Sequence, residues 1–271
     1  MGSIASTFAL PIEIGGIPIL VRTDSPEFAE ILEQRYGGYI NFSAQTLFTF
    51  DVEIVEPSAG ADADAAATVR YEEGRWIIER GDFYAEWNPQ AKHGCIRQAL
   101  YPYAIDAALR ILHSLLLASQ GGLLMHAASA VRNGRAFLFA GVSEAGKTTM
   151  SRLAPPDATL LTDEISYLRP NGDGTGYLAY GTPFAGELAE PGANIRAPLA
   201  GIFLLGKGPE NRIEPVGEGE AARAVLANIL FFAHDAELVG KVFDTACRVA
   251  RTVPVQRLTF FPDARVWDLI Q

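Results

Sequence analysis

One stretch constrains this chain more than any other: Ala136-Phe137-Leu138-Phe139-Ala140, then Gly141-Val142-Ser143-Glu144-Ala145-Gly146-Lys147-Thr148-Thr149. The apolar run predicts a buried strand. The glycines of a G-x-x-x-x-G-K-[ST] pattern then let the backbone turn tightly, so that neighbouring N–H groups face one centre. A helix start follows. A nest of amides beside a lysine and a hydroxyl suits a chain of phosphates: Lys147 offers a cation to the β and γ phosphates, and Thr148 offers an oxygen to Mg²⁺. The residues predicted to touch a nucleoside triphosphate are therefore Gly141, Val142, Ser143, Glu144, Ala145, Gly146, Lys147, Thr148 and Thr149. Glu144 is unfavourable beside phosphate unless it points to solvent.

The next acids are close. A predicted strand over 159–162 ends at Asp163-Glu164, 16 residues after Lys147, and Pro155-Pro156 limits the intervening helix to about two turns. At the carboxyl end of a neighbouring strand, one carboxylate could act as general base and the other could hold the metal or its water. His126 lies in Leu123-Leu124-Met125-His126-Ala127-Ala128, on a strand that turns at Asn133-Gly134 into the one feeding the glycine loop. It reads either as a packing residue or as a group near the phosphates. His93, His113 and His234 read as structural.

These residues, HAASAVRNGRAFLFAGVSEAGKTTM followed by LLTDE, resemble the catalytic domain of the HPr kinase/phosphorylase family over roughly residues 120–215. The resemblance implies a phosphoenolpyruvate-carboxykinase-like P-loop core. It also implies an activity, transfer of the γ-phosphoryl group of ATP, with Mg²⁺, to a serine hydroxyl of a peptide or small protein. By the same resemblance Asp163 takes the acceptor's proton, His126 is the active-site histidine, and Arg212 stabilises charge on the moving phosphoryl group beside Lys147. Thr148, Glu187 and Glu164 become the metal ligands. Homo-oligomers are the family's habit. The chain departs from the family in carrying Glu164 where an aspartate is usual, Ser143-Glu144-Ala145 within the loop, and no Arg-Gly pair near Glu187. A non-catalytic nucleotide-binding scaffold or sensor in a peptide-maturation system is the alternative. Plain ATP hydrolysis driving motion has no sensor or arginine-finger segment to support it, and the further metal set of a carboxykinase cannot be assembled.

The remaining pattern divides the chain. Residues 1–95 read as a β-rich region that recognises substrate or partner, with strands over 9–21 (turning at Gly15-Gly16), 41–55, 68–71, 75–79 and 82–87. A helix is predicted over Pro26–Tyr36 and a loop over 56–67. Residues 96–271 read as the nucleotide-binding domain. It opens on a linking helix over 97–119, continues with strands over 123–131, 135–140, 159–162, 199–205 and 257–261, and carries helices over 221–232 and 236–251. The expected fold class is α/β (α+β).

Composition excludes other classes. With 49% hydrophobic and 20% charged residues among 271, the chain is globular rather than disordered. A net charge of −10 argues against coating nucleic acid or anionic lipid. Cys95 and Cys247 form no disulfide framework or zinc set and suit a reducing compartment. No apolar run approaches the roughly 20 residues of a membrane span. Residues 1–16 lack the basic and apolar regions of a signal peptide, and Gly2 with Ser6 meets a myristoylation pattern only loosely. The expectation is a cytoplasmic protein.

Overall fold

A computed structural model describes residues 7–57 and 62–271. The myristoylation pattern and part of the predicted loop over 56–67 lie outside the described residues. Two compact units result: Met1–Leu115 with Phe232–Ala236, and Leu116–Phe231 with Glu237–Gln271.

The first unit is one seven-stranded sheet. Strands β1 (Phe8–Ile14) and β2 (Ile17–Thr23) form a hairpin across Gly15 and Gly16, both in the left-handed region that the turn requires. Helix α1 (Pro26–Tyr36) starts where Ser25 Oγ accepts from Phe28 N at 3.2 Å, and Pro26 fits its first turn. It buries Phe28, Ala29, Leu32 and Tyr36 and leads into β3 (Phe48–Ile54), parallel to β2. The meander β4 (Thr68–Glu72), β5 (Arg75–Arg80), β6 (Phe83–Asn88) and β7 (His93–Gln98) returns to pair with β3. Alternation works as the sequence implies: Phe83, Ala85 and Trp87 are buried while Tyr84 and Glu86 face outward.

Two boundaries differ from expectation. The strand predicted over 41–55 begins only at Phe48, because Asn41 Oδ1 accepts from Ser43 N at 3.0 Å and holds a turn there. The helix predicted over 97–119 is α2 (Tyr103–Ser119), with Asp106 N donating to Pro102 O at 3.1 Å. Residues 97 and 98 belong instead to β7, whose backbone the sheet recruits.

The second unit begins with the hairpin β8 (Leu123–Arg132) and β9 (Arg135–Ala140), joined by Asn133 and Gly134 at φ 52° and 72°. There follow α3 (Lys147–Arg152), β10 (Ala158–Thr162), β11 (Ile165–Pro170), β12 (Tyr177–Tyr180), β13 (Arg196–Lys207) and β14 (Arg212–Pro215). Next come α4 (Glu218–Ala227), α5 (Ala236–Thr252), β15 (Val255–Phe260) and a final 3₁₀ turn, Ala264–Leu269. Pairing runs β8–β11–β12–β13–β9 and back to β8, which closes a five-stranded barrel. Strands β10, β15 and β14 extend it.

This corrects the expected fold class. The protein is mostly β-sheet, with 27% helix and a closed barrel, and is not a P-loop α/β kinase core. The physical reason lies in β11 and β12, which the sequence reading left unassigned. They join β8 to β13 by antiparallel pairing, where an α/β sheet needs helical crossovers between parallel strands. Among the described residues of the second unit, parallel pairing is confined to β13 with β9 and with β15. The helix predicted over 221–232 also ends early, at Ala227, where Asn228 N donates to Val225 O.

Candidate functional site

The glycine loop leaves the end of β9 and enters α3. Both fixed glycines are demanded by packing. A Cβ on Gly141 would lie 2.7 Å from Ala145 Cβ, and one on Gly146, whose φ is 111°, would lie 2.5 Å from the Phe260 ring. Inside the loop Ala145 N donates to Val142 O at 3.1 Å, and Gly141 N donates to Asn228 Oδ1 at 3.2 Å. Glu144 takes a left-handed φ of 63° and is exposed. Among the described residues the amides of Ser143, Glu144 and Gly146 have no protein acceptor, so they stay available to an anion. Met150 anchors α3: it is buried, and its carbonyl accepts from Trp267 Nε1 at 3.1 Å.

A cleft of about 490 Å³ opens beside this loop. Ser143, Glu144, Gly146, Lys147, Thr148 and Thr149 line it from the loop and α3, and His126, Asp163, Glu164 and Glu187 line it from elsewhere in the same unit. The barrel explains this convergence. Strands β10 and β11 both pair with β8, and the break between them is Asp163-Glu164, one step from the His126–Ile165 pair. Thr162 Oγ1 shapes that break by accepting from Glu164 N and Ile165 N, each at 3.1 Å. Gly141, Val142 and Ala145 do not line the cleft; Ala145 is buried beneath the loop and Val142 stands 81% exposed.

Arg212 is not brought in. It begins β14, is exposed, and donates from Nε to Glu214 at 3.0 Å. Two cations that the sequence reading missed line the cleft instead, Arg152 at the end of α3 and Lys207 at the end of β13. Lys207 had a faint signal: it follows the apolar run 199–205, and β13 runs parallel to β9, so both strands finish at the same end of the sheet.

Each charged group has a definite setting. Lys147 Nζ donates to Gly141 O at 3.1 Å and to Val142 O at 3.4 Å. Burial pulls the Lys147 ammonium below its usual range, while Glu164 and Glu187 act to raise it. Burial first, and the Lys147 charge second, hold His126 below the ordinary imidazole value. Asp163 is only 5% exposed, with Oδ1 accepting from Gly186 N at 2.7 Å and Oδ2 from Leu188 N at 2.9 Å. Glu187 is exposed and lies 3.8 Å from Arg152. Among the described residues no group of three or more His, Cys, Asp or Glu side chains could cage a metal. Thr148, Glu164 and Glu187 are the hard oxygen donors on the cleft wall, the donor type that Mg²⁺ takes.

A larger cleft, about 650 Å³, belongs to the first unit. Arg22, its lining cation, is already paired: it grips Asp51 on the same wall at 2.7 and 2.8 Å. It holds no amide nest, so volume alone does not make it the better candidate.

A mostly-β protein with a glycine-loop cleft on its barrel unit is thus the class defined by fold and site. The chain belongs to the family described as SynChlorMet cassette protein ScmC, whose model matches residues 103–271 and so spans every residue lining the glycine-loop cleft. No curated protein matches the chain. No helix among the described residues is long and apolar enough to cross a membrane.

Proposed function

We propose that the cleft binds ATP with Mg²⁺ and that the protein is a kinase acting on a hydroxyl, most simply a serine of a peptide or small protein. The observation that carries this reading is convergence. Open loop amides, Lys147, Thr148 and two cleft acids beside Lys147 meet in one polar space of triphosphate size. The motif resemblance to HPr kinase/phosphorylase supports the activity, although the barrel gives no support from fold.

The chain's own groups divide the work. Loop amides and Lys147 hold the phosphates, and Lys147, Lys207 and Arg152 supply positive charge as the γ-phosphoryl group moves. The acceptor oxygen bonds to γ-phosphorus as the bond to the β–γ bridging oxygen breaks, ADP leaves, and the acceptor proton passes to solvent. Mg²⁺, when bound, neutralises phosphate charge; Thr148, Glu164 and Glu187 are the residues to hold it. Neutral His126 can accept or donate one hydrogen bond beside the phosphates. The β-sheet unit is assigned to recognition of the peptide. A cytoplasmic setting goes with this reading, where ATP is available and the free thiols of Cys95 and Cys247 stay reduced.

A second reading, a nucleotide-binding scaffold or sensor, is favoured by two observations: both Asp163 oxygens accept backbone N–H groups, and Arg212 lies outside the cleft. Single-turnover assay with γ-labelled ATP and serine peptides separates the two. Label on serine, abolished by Lys147→Ala, supports the kinase. Tight ATP binding without transfer supports the scaffold, and no binding of either adenine or guanine nucleotides defeats both.

A further inference from the structure

We infer that Asp163 is a positioning residue, whose carboxylate pins the 186–188 turn so that Glu187 stands over the cleft to hold the metal. This rests on the nucleotide reading above and deepens it. Asp163 is nearly sealed, and its two oxygens are spent separately on Gly186 N and Leu188 N, the amides either side of Glu187. A carboxylate whose two oxygens each accept a main-chain N–H is held in a fixed orientation, and those charge-assisted bonds tie the turn to it. The turn is built to meet it: a Cβ on Gly186 would fall 2.9 Å from Asp163 Oδ2 and 3.0 Å from Glu164 Cβ. Glycine is therefore what lets the turn close onto the acid. With the anchor set, Glu187 and Glu164 line the same cleft as Lys147 and Thr148.

The test compares ATP affinity by calorimetry with and without Mg²⁺ in the full chain. In Asp163→Asn, the amide nitrogen cannot accept the second N–H, so the turn loosens. The tightening that Mg²⁺ confers should fall about tenfold, the scale on which groups behind a metal ligand act. Metal-free ATP affinity should stay within about twofold, whereas general misfolding would lower both. Gly186→Ala keeps the Asp163 carboxylate and displaces the turn, and should reproduce the defect. In Asp163→Asn/Glu187→Gln the loss should match that of Glu187→Gln alone, since one residue acts through the other. Hydrogen exchange reads the anchor without nucleotide: the amides of Gly186 and Leu188 should be protected in the parent and lose protection in Asp163→Asn. Additive losses in the double variant, or an intact metal effect in Gly186→Ala, overturn the positioning role in favour of direct contact by Asp163. Unchanged protection in Asp163→Asn overturns the anchor itself. Absence of ATP binding by the parent protein overturns the nucleotide reading and the metal role, while the exchange data still decide the anchor.

Discussion

At the scale of single residues, the cleft is set by which charges are left with work to do. Asp163 and Glu164 both line the cleft, yet the oxygens of the first are spent on two main-chain donors while the second is half-buried beside Lys147. His126 sits among apolar strand residues with its own amide donating to Asn228 O at 2.7 Å. Because burial and Lys147 depress its pKa, it is neutral at neutral pH. Its proton NMR titration is expected to have a midpoint below 6.5. Adding ATP should raise that midpoint, since phosphate charge favours the imidazolium. A midpoint at or above 6.5 in the free protein would show that the ring does not lie in this half-buried setting. The cations follow a similar logic. Lys147 was readable from the motif. Arg152 was not, because nothing local marks a charge at the end of α3 as facing a cleft rather than solvent, and Lys207 carried only the faint signal of following an apolar run.

At the scale of elements, the glycine loop and α3 form one unit whose shape depends on Gly146. Its positive φ and its contact with Phe260 both refuse a side chain. Gly146→Ala should therefore cost about 1–3 kcal/mol, seen as a lowered Tm, and should remove ATP binding even in molecules that fold. Retained stability together with retained affinity would contradict the geometry. The local elements were legible where a short-range rule sufficed. Helix α1 carries Ser25, Pro26 and an apolar stripe, and its bounds match those expected. The hairpin at Asn133-Gly134 needed only the two positive φ angles of its turn. Strands β7 and β11 escaped notice because Gly94, Ser166 and Arg169 interrupt any clear alternation, and β12 because it is only four residues long. Their burial is conferred by neighbours: Ser166 is fully buried, with its hydroxyl donating to Ala127 O at 2.8 Å and bonding Ser129 Oγ at the same distance. A polar side chain satisfied across a barrel looks, in one dimension, like a loop residue.

At the scale of the whole molecule, acid stability is set by carboxylates that the fold holds ionised. Asp51 is pulled down first by Arg22, and Asp82 is pulled down by Arg80 and Tyr101 in spite of burial. A carboxylate with a lowered folded pKa contributes stability above its unfolded value and loses it as pH falls through the folded one, because the unfolded chain then binds more protons. His126 adds to the same slope at higher pH: its folded pKa is depressed, so acidification below about 6.5 favours the unfolded chain. Denaturant midpoints are thus expected to decline gently from pH 6.5 and steeply below about pH 4. A midpoint that rises on acidification across that range would show that these pairs are not formed.

The sequence by itself determined the glycine loop, its lysine and hydroxyl, and the helices and hairpins whose signals lie within a few residues of one another. Only the tertiary structure decided that β8, β11, β12, β13 and β9 close on themselves, that Lys207 and Arg152 enter the cleft while Arg212 does not, and that Asp163 turns away from solvent to hold the 186–188 turn. The reason is physical. Turns, caps and amide nests are specified by the conformational limits of adjacent residues. Strand closure and side-chain burial depend on pairings between segments tens of residues apart, whose free energy no local pattern records.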